Sequence, residues 1–461
     1  MNLNIVLIST YEMGRQPFGL ASPAAWLREA GAEVRCFDLS LGGLEAGAIR
    51  AADLVAFYVP MHMATRMAVP VIERVRQLRP EAHVCCFGLY APVNAAYLRS
   101  LGVDTILGGE FETGLMSLAR RLSAGVNGRG SSQNEQPEPL ISLDRQDFRV
   151  PDRSDLPNLS QYAHLITGTG PSQPVGYTEA SRGCKHLCRH CPIVPVYGGR
   201  FRIVPREVVL ADIRQQVAAG AQHITFGDPD FFNGPGHAIP LVNSLHEAFP
   251  ELTYDVTIKV EHLLQHSGKL PALKETGCRF ITTAVESFDE RILAIFDKQH
   301  TRREFETVLN HCRRVGLLLI PTFVAFTPWT TLENYVEFLA EIARLGLIEQ
   351  VAPIQYALRL LIPPGSRLLE LAEVRDIAEE LEAAKLAYRW HNPDPRVDEL
   401  QQDVEQLVNL GTGRQLSRFD IFRNIWQRAH RDVAPSSDRA PFPEQPPHRS
   451  AVPYLAEPWY C

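Results

Sequence analysis

The sequence predicts an α/β protein in which a doubly wound, flavodoxin-like domain precedes a partial (β/α)6 barrel and a helical carboxyl-terminal extension. Three observations predict this order. Short β-branched runs alternate with amphipathic helical stretches over residues 1–123. Residues 124–145 lose that pattern and gain Gly, Ser, Gln and Pro, which is typical of a linker. From residue 146 a second unit follows, in which the alternation returns with longer periods.

Composition and charge limit the classes of protein that fit. The chain has 461 residues, enough for two or three domains, and a formal net charge of −7. A mildly acidic protein gives no electrostatic reason to expect nucleic acid as a partner. No run of 18 or more apolar residues occurs, and no basic segment precedes the first apolar run, so the sequence predicts neither a membrane span nor an export signal. We therefore expect a cytoplasmic protein without a membrane partner.

The first domain is expected to contain five parallel strands. Each β-branched run is apolar on both faces, as strands covered by helices on both sides must be. The ligand crevice of such a sheet lies at the carboxyl ends of its strands. The five predicted strands are NIVLIS, EVRCFDL, DLVAFYV, HVCCFGL and DTILGG.

The second unit, residues 146–366, is expected to form the partial barrel, with its chemistry at the carboxyl ends of the strands. Residues 367–432 look helical, and the proline-rich residues 433–461 are expected to be a mobile tail. The six predicted barrel strands are 175–181, 223–228, 252–260, 279–286, 317–326 and 353–359.

The third barrel strand has one polar face, formed by Thr253, Asp255, Thr257, Lys259 and Glu261. The side chains between them are apolar, whereas a strand buried on both faces should be apolar throughout. Two interpretations remain open. The polar face lines a lumen that holds a polar ligand, or the strand lies at a sheet edge with one face in water.

Three cysteines carry the chemistry that the sequence predicts. Cys184, Cys188 and Cys191 fall within eight residues, on a loop that follows the first barrel strand. Three thiolates leave one coordination position without a nearby protein ligand, which favours an iron–sulfur cluster with one open iron. A structural zinc site is the alternative, and it would need His186 or His190 as a fourth ligand.

The spacing CxxxCxxC after a first barrel strand resembles the hallmark of the radical S-adenosylmethionine (radical SAM) superfamily, and the resemblance covers about residues 146 to 360. It implies that Cys184, Cys188 and Cys191 bind a [4Fe-4S] cluster whose open iron is chelated by SAM. It further implies that one-electron reduction cleaves SAM to a 5′-deoxyadenosyl radical. An electron donor such as flavodoxin or ferredoxin is the implied partner, together with an unknown substrate.

The same resemblance implies four residues that position SAM. Gly227 and Asp228 end the second strand, where the family often has Gly-Gly-Glu for the SAM amino group. Glu286 and Ser287 end the fourth strand, where the family often contacts the ribose or the carboxylate of SAM.

Two positions depart from the family pattern. The residue before the third cysteine is usually aromatic and packs on adenine, but here it is His190. The fifth strand has Pro321 and Thr322 in place of a glycine-containing pattern.

The first domain resembles the cobalamin-binding domain that precedes many radical SAM enzymes. The matching features include Gly88 after the fourth strand and Gly108-Gly109 before the acidic Glu110. No Asp-x-His-x-x-Gly motif is present to supply a histidine to cobalt. The resemblance implies cobalamin as a further cofactor held without a histidine ligand, or a domain that keeps the fold without the cofactor.

The end of the chain, Ala456-Glu457-Pro458-Trp459-Tyr460-Cys461, is similar to the tail of a small radical SAM group. Those proteins end in Cys-Cys-Ala-Glu-Pro or Cys-selenocysteine-Ala-Glu-Pro, abbreviated CCAEP and CUAEP. One hypothesis is that the next codon is UGA for selenocysteine. The other is an incidental terminal cysteine.

These observations predict a radical SAM enzyme acting on an unknown substrate. Methylation of an unactivated carbon is expected if cobalamin binds, whereas rearrangement or sulfur or selenium chemistry is open if it does not. A methylthiotransferase is an alternative, although such enzymes carry a second three-cysteine cluster and a basic nucleic-acid module, neither of which the sequence shows. A non-catalytic zinc-binding or SAM-binding protein is the third interpretation.

Overall fold

A computed structural model describes residues 3–125, 137–168, 170–433, 441–442 and 452–456. Its architecture agrees with the predicted α/β class, because a doubly wound sheet is followed by a curled sheet that resembles a half-barrel and by a helical extension. Among the described residues, no helix combines the length and the apolar character needed to cross a bilayer. The terminal residues 457–461, on which most of the predicted tail motif falls, lie outside the described residues.

The first sheet has six parallel strands in the order β2-β1-β3-β4-β5-β6. All five predicted strands are present, and the sixth comes from the end of the predicted linker. Its strands are β1 (Asn4–Ser9), β2 (Glu33–Asp38), β3 (Leu54–Tyr58), β4 (His83–Phe87), β5 (Thr105–Gly109) and β6 (Ile141–Ser142).

Helices cover both faces of this sheet. Two separate apolar clusters result, one on each face, and every residue of β4 is buried between them. The covering helices are α1 (Phe18–Glu29), α2 (Ala46–Ala51), α3 (His62–Leu78), α4 (Tyr90–Val93), α5 (Ala95–Ser100) and α6 (Phe111–Ser123).

The second sheet has seven strands in the order β14-β13-β12-β11-β8-β7-β17. The five from β8 to β14 run parallel, whereas β7 and β17 are antiparallel to their neighbours. A separate antiparallel pair, β9 with β10, flanks the cysteine loop. The strands are β7 (His164–Ile166), β8 (Gln173–Thr178), β9 (Ser181–Gly183), β10 (Phe201–Ile203), β11 (His223–Phe226), β12 (Thr253–Thr257), β13 (Cys278–Glu286) and β14 (Leu318–Phe323).

The helices of this unit pack on the outer face of the sheet and bury the largest apolar cluster among the described residues. Local sequence sets their ends. In α13, for example, Thr301 and Glu304 form a capping box at the start, and Gly316 ends the helix with φ +71°. The helices are α7 (Val194–Tyr197), α8 (Arg206–Ala218), α9 (Pro235–Ala248), α10 (Val260–Gln265), α11 (Leu270–Glu275), α12 (Glu290–Phe296), α13 (Arg302–Val315) and α14 (Leu332–Arg344).

The region of the sixth predicted barrel strand, residues 353–359, differs from the prediction. Pro353–Tyr356 form a 3-10 helix, and the parallel contact there is a single bridge between Phe326 and Arg359. The side-chain oxygen of Gln355 accepts a hydrogen bond of 2.8 Å from the backbone N–H of Phe323 on β14. The Gln355 side chain therefore accepts the hydrogen bond from an N–H at the edge of β14 that a sixth strand would have accepted.

The extension after residue 366 mixes short elements with two long helices that pack on each other and on the large cluster. A small antiparallel hairpin precedes them, which the helical prediction for 367–432 did not include. Within the tail that was predicted to be mobile, two residues form a strand on the edge of the second sheet. The elements are α15 (Ala372–Ile377), β15 (Leu381–Glu382), β16 (Ala387–Tyr388), α16 (Pro395–Gly413), α17 (Arg418–Ala429) and β17 (Tyr454–Leu455).

Candidate metal centre and active-site cavity

The cysteine loop begins directly after β9 and ends at α7. Gly183, the last residue of β9, has φ +74°, and a Cβ there would lie 2.4 Å from the Tyr197 ring and 2.5 Å from the Arg200 carbonyl oxygen. Only glycine fits this turn. The chain therefore changes direction immediately before Cys184, which carries the first thiol into the interior.

The three thiols lie in one buried, partly cationic environment. Cys184 and Cys188 are buried and Cys191 is half-buried. Burial raises the pKa of Cys184 to about 11 and that of Cys191 to about 12, and the neighbouring thiols add to both shifts. The ammonium of Lys259 lies 3.6 Å from the Cys188 sulfur. Three interacting sulfur donors beside a cation are a donor set that suits an anionic iron–sulfur cluster.

The first half of the loop is tied down through His186. Its Nε2 lies 3.5 Å from the Asp230 carboxylate and 3.2 Å from Nε2 of His262, and its Nδ1 lies 3.4 Å from Glu261. Asp230 also contacts Nδ1 of His262 at 2.6 Å. Burial alone would raise the pKa of Asp230, but its contacts with the two histidines hold that pKa below its usual value. We call His186, Asp230 and His262 the first staple.

The second half of the loop is tied down through His190. Its Nε2 donates to Oε1 of Glu286 at 3.1 Å, and Lys298 donates to the same oxygen at 3.3 Å. The His190 ring stacks on Phe296 with a centroid distance of 4.5 Å. Burial alone would raise the pKa of Glu286, but Lys298 and His190 lower it to about 2. We call His190, Glu286 and Lys298 the second staple.

Glu286 adopts a backbone conformation that non-glycine residues rarely use, with φ +68°. It lies at a register shift in the pairing of β13 with β14, so the strand is irregular where its carboxylate turns toward the cysteine loop. Strain of this kind persists where the surrounding contacts fix the residue.

The four residues predicted to position SAM separate into two groups. Gly227 and Asp228 line the large cavity described below, whereas Glu286 and Ser287 line a smaller one of about 150 Å³. The Ser287 hydroxyl accepts the N–H of Asp289 at 3.0 Å. A Cβ at Gly227 would lie 1.9 Å from the Tyr177 hydroxyl, so the backbone approaches that ring closely. Their contacts with SAM stay a prediction.

Asp228 braces the segment before the cysteine loop. Its two carboxylate oxygens accept hydrogen bonds from the Ser181 hydroxyl at 2.5 Å and from the Ala180 N–H at 2.9 Å. Burial raises its pKa to about 7 despite these hydrogen bonds. Both oxygens already have protein donors, an arrangement that the sequence did not predict.

The lumen of the half-barrel holds a cavity of about 1030 Å³. The inward faces of β11 to β14 line it with a mixture of threonine hydroxyls and apolar side chains, and Asp255 and Thr257 of β12 are among the lining residues. Because β12 lies between β11 and β13, the polar face predicted for this strand faces the lumen, and the edge-strand interpretation is wrong. Leu455 of β17 packs with Leu165, Val175 and Phe280 as an apolar floor.

A third cavity, of about 140 Å³, lies where the carboxyl ends of the first sheet meet the cysteine-loop region. Ile193, Gly227 and Pro229 line both this crevice and the lumen, so the two cavities adjoin. The remaining lining includes Tyr58, Gly88, Gly109, Phe111, Arg182 and Tyr197.

Arg182 joins the two domains beside this crevice. Its guanidinium pairs with Glu112 at 2.7 Å, with Glu179 at 2.7 Å and with Glu110 at 3.5 Å. Arg182, Glu110 and Glu112 are all buried. Burial raises the pKa of Glu110 to about 7, although Arg182 opposes that effect. This charge cluster fixes Cys184, two residues away, relative to the first domain.

Residues 178–348 match the family model described as the radical SAM superfamily. This stretch of the chain is similar to a radical SAM domain. The matched stretch begins at the end of β8, contains the complete cysteine loop, and ends shortly after α14. A [4Fe-4S] cluster and SAM are the cofactors of this domain, and the buried trio of thiols is a donor set that fits the cluster.

Proteins similar to this chain include methyltransferases. The hopanoid C-3 methylase of Methylococcus capsulatus is 25% identical over 327 residues, which are 68% of this chain and 62% of that enzyme. This chain therefore spans about six tenths of that relative's length.

Two solved structures share the fold. One is the radical SAM methyltransferase TsrM from Kitasatospora setae with tryptophan substrate and a SAM analogue, at TM-score 0.60 and 19% identity, covering 74% of this chain and 71% of that one. The other is the cobalamin-dependent radical SAM enzyme OxsB with aqua-cobalamin and SAM bound, at TM-score 0.69 and 14% identity, covering 89% of this chain and 67% of that one.

The sequence did not indicate the two staples. Asp230 and His262 are 32 residues apart, and Glu286 and His190 are 96 residues apart, so no local spacing links them. One signal was available, because His186 and His190 lie between the cysteines and a polar residue there needs a partner once the loop is buried.

Proposed function

We propose that the protein is a radical SAM enzyme in which Cys184, Cys188 and Cys191 hold a [4Fe-4S] cluster and the substrate lies in the half-barrel lumen. The observation that carries this proposal is the buried three-thiol loop, which lies within the matched radical SAM domain of a half-barrel that encloses about 1030 Å³. When bound, the cluster and SAM supply a radical that removes a hydrogen atom from an unactivated carbon.

The chain's own residues orient and shield this chemistry. The two staples hold the loop at both intervals between the cysteines, and Lys259 places a positive charge beside Cys188. The Nδ1 atom of His190 is buried without a hydrogen-bond partner among the described residues, so a bound group beside Cys191 would satisfy it. The apolar floor of the lumen excludes water from below.

Reduction of the cluster requires a one-electron donor, for which we propose a flavodoxin or a ferredoxin. Two side chains on the outer part of the cysteine loop, Lys185 and Leu187, are exposed. A basic and an apolar group at this position suit the acidic, partly apolar docking surface of such a donor.

Methyl transfer with cobalamin is the second candidate function, since the relatives include methyltransferases and the crevice between the domains adjoins the lumen. Bound cobalamin would supply a methyl carrier. The crevice as it stands measures about 140 Å³, below the roughly 300 Å³ of a small-molecule site. A corrin ring does not fit without separation of the residues that face each other across it, so we derive no step through cobalamin.

Anaerobic reconstitution with iron and sulfide, followed by chemical reduction in the presence of SAM, tests the proposal. We expect about four irons per chain, visible charge-transfer absorbance and formation of 5′-deoxyadenosine. Cys184→Ala should lose all three, whereas Cys312→Ala, which changes a buried thiol on α13, should keep them. A colourless protein with stoichiometric zinc would support the zinc-binding alternative instead. Parallel assays with and without cobalamin, scored for methylated product, decide the second candidate.

We further propose that the chain belongs to the CUAEP/CCAEP-tail radical SAM group, on the similarity of its last six residues. Reading the coding sequence beyond Cys461 tests this. A UGA or Cys codon followed by Ala-Glu-Pro supports membership, and any other continuation contradicts it.

A further inference from the structure

Asp255 is an acidic group that the proposed radical chemistry does not use. It lies on β12, is 4% exposed, and lines the lumen cavity. Its Oδ1 accepts hydrogen bonds from the Thr225 hydroxyl at 2.7 Å and from Nε2 of His223 at 2.9 Å. Within the described part of the chain, its other oxygen, Oδ2, accepts no hydrogen bond. Because Asp255 lines the cavity, this oxygen is open to it and can accept a hydrogen bond from a bound molecule.

The hydrogen-bond partners of Asp255 include no arginine or lysine among the described residues. When Nε2 of His223 carries the proton and donates to Asp255, Nδ1 is free to accept from the Thr253 hydroxyl at 2.7 Å. A neutral imidazole therefore satisfies both contacts and brings no positive charge. Among the described residues, His223 is the one ionisable side chain paired with Asp255.

The two cations that line the same cavity are engaged elsewhere. The Arg15 guanidinium lies 5.2 Å from the Tyr177 ring centroid. Arg418 lies 5.0 Å from the Tyr454 ring centroid and donates to the Glu349 carbonyl oxygen at 2.6 Å. The Asp255 carboxyl group thus faces the cavity without an arginine or lysine partner in the described chain.

The position of Asp255 suits a substrate contact. It lies level with Phe280, which belongs to the apolar floor, and one step below Thr257 and Thr282. Four residues further along the chain, Lys259 contacts Cys188. Because β12 ends at Thr257, before Lys259, Asp255 lies deeper in the half-barrel than the cysteine loop. A group bound at Asp255 leaves room for several substrate atoms below the loop.

We infer that Asp255 anchors the ammonium group of the substrate, so the lumen takes a polar, amine-bearing small molecule. This inference rests on the proposed function and names its substrate class. An ammonium group in this cavity donates a charge-assisted hydrogen bond to Oδ2, while the hydroxyls of Thr257 and Thr282 contact the polar atoms above it. A neutral polycyclic hydrocarbon would leave the carboxylate without a partner, so it is not a suitable substrate.

Binding of a matched pair of probes tests this inference. The reconstituted enzyme with SAM is titrated with 2-phenylethylamine and with its neutral counterpart 2-phenylethanol, using calorimetry or ligand-observed NMR. We expect the amine to bind roughly ten- to a hundredfold more tightly. Asp255→Asn should abolish that preference and Asp255→Glu should keep it. Asp376→Asn, the same change at an exposed carboxylate, should leave it intact.

The possible failures are distinguishable. Equal affinity for the two probes, absence of amine binding, or a preference that survives in Asp255→Asn overturns the inference. A raised KM for SAM in Asp255→Asn also overturns it, because the carboxylate would then serve SAM. Iron content and 5′-deoxyadenosine formation are measured on the same preparations. Their absence in the unaltered enzyme would refute the proposed function, whereas their presence without amine selectivity would refute the inference alone.

Discussion

Lys298→Met should destabilise the protein because it leaves the Glu286 carboxylate buried beside His190 alone. Lys298 is 8% exposed and donates to Glu286 at 3.3 Å, and the same carboxylate fixes the ring before Cys191. Methionine keeps the length and the apolar stem of the lysine but removes its charge. The substitution therefore isolates the electrostatic contribution of the second staple.

The pKa of Glu286 gives the expected size of this loss of stability. It is lowered from 4.5 to about 2, which corresponds to about 3 kcal/mol of preference for the ionised form. Removing one partner of a buried ion pair costs about 3–5 kcal/mol in general. We therefore expect Lys298→Met to lower the free energy of unfolding by about 3 kcal/mol at pH 7.

The sign of the pH dependence follows from the same shift. Because the folded-state pKa of Glu286 lies below its unfolded value, its contribution is complete above about pH 4.5 and is lost as the pH falls toward 2. The difference between the unaltered protein and Lys298→Met should therefore narrow over that interval.

Denaturant unfolding of the cluster-free protein, followed by far-ultraviolet circular dichroism, measures the effect. Glu286→Gln combined with Lys298→Met should recover most of the loss, because no unpaired charge remains. Lys385→Met is the control, since this lysine is exposed and water screens its pair with Glu382, so its loss of stability should be much smaller than that of Lys298→Met. A loss in Lys298→Met no larger than the control, or one independent of pH, would refute the reasoning.

Three further substitutions test other parts of the structure. Arg182→Met should cost about 3–5 kcal/mol in denaturant unfolding, since Glu112 stays buried without its guanidinium, and a change below about 1 kcal/mol would contradict this. Gly227→Ala should lower the melting temperature or reduce SAM-dependent activity because its Cβ would lie 1.9 Å from the Tyr177 hydroxyl, and normal stability with normal activity would contradict that close approach. Leu455→Ala should cost about 1 kcal/mol by thinning the lumen floor, and an unchanged melting temperature would show that β17 does not seal it.

Much of the fold was predictable from the sequence because hydrophobic periodicity is a local property. The five strands of the first domain and the first five of the barrel appear near their predicted positions. The polar face of β12 was informative because Asp255 and Thr257, on that face of an inner strand, line the lumen cavity. Asp255 was visible in that pattern, but its free oxygen was not, since the partners of Oδ1 come from β11, 30 or more residues earlier.

The sequence-based prediction of strands was wrong where a single side chain takes over a hydrogen bond that a strand backbone would make. Residues 353–359 have the composition of a strand, yet Gln355 satisfies β14 through its amide oxygen and the backbone turns instead. The end of the predicted linker shows the reverse case. Ile141–Ser142 pair with Gly108–Gly109, because two residues suffice to extend a parallel edge that is already formed. Neither segment has a hydrophobic periodicity from which its structure could be predicted.

The second staple gives a physical reason for one departure from the radical SAM pattern. An aromatic residue usually precedes the third cysteine, but an aromatic hydrocarbon ring could not donate to Glu286, whose carboxylate would then face Lys298 alone. A histidine ring provides a flat face for stacking on Phe296 and an N–H for the carboxylate at the same time. His190 and Glu286 therefore depend on each other. His190→Phe should destabilise the protein with Glu286 present and cost much less in a Glu286→Gln background, which a double-mutant cycle of unfolding free energies measures directly.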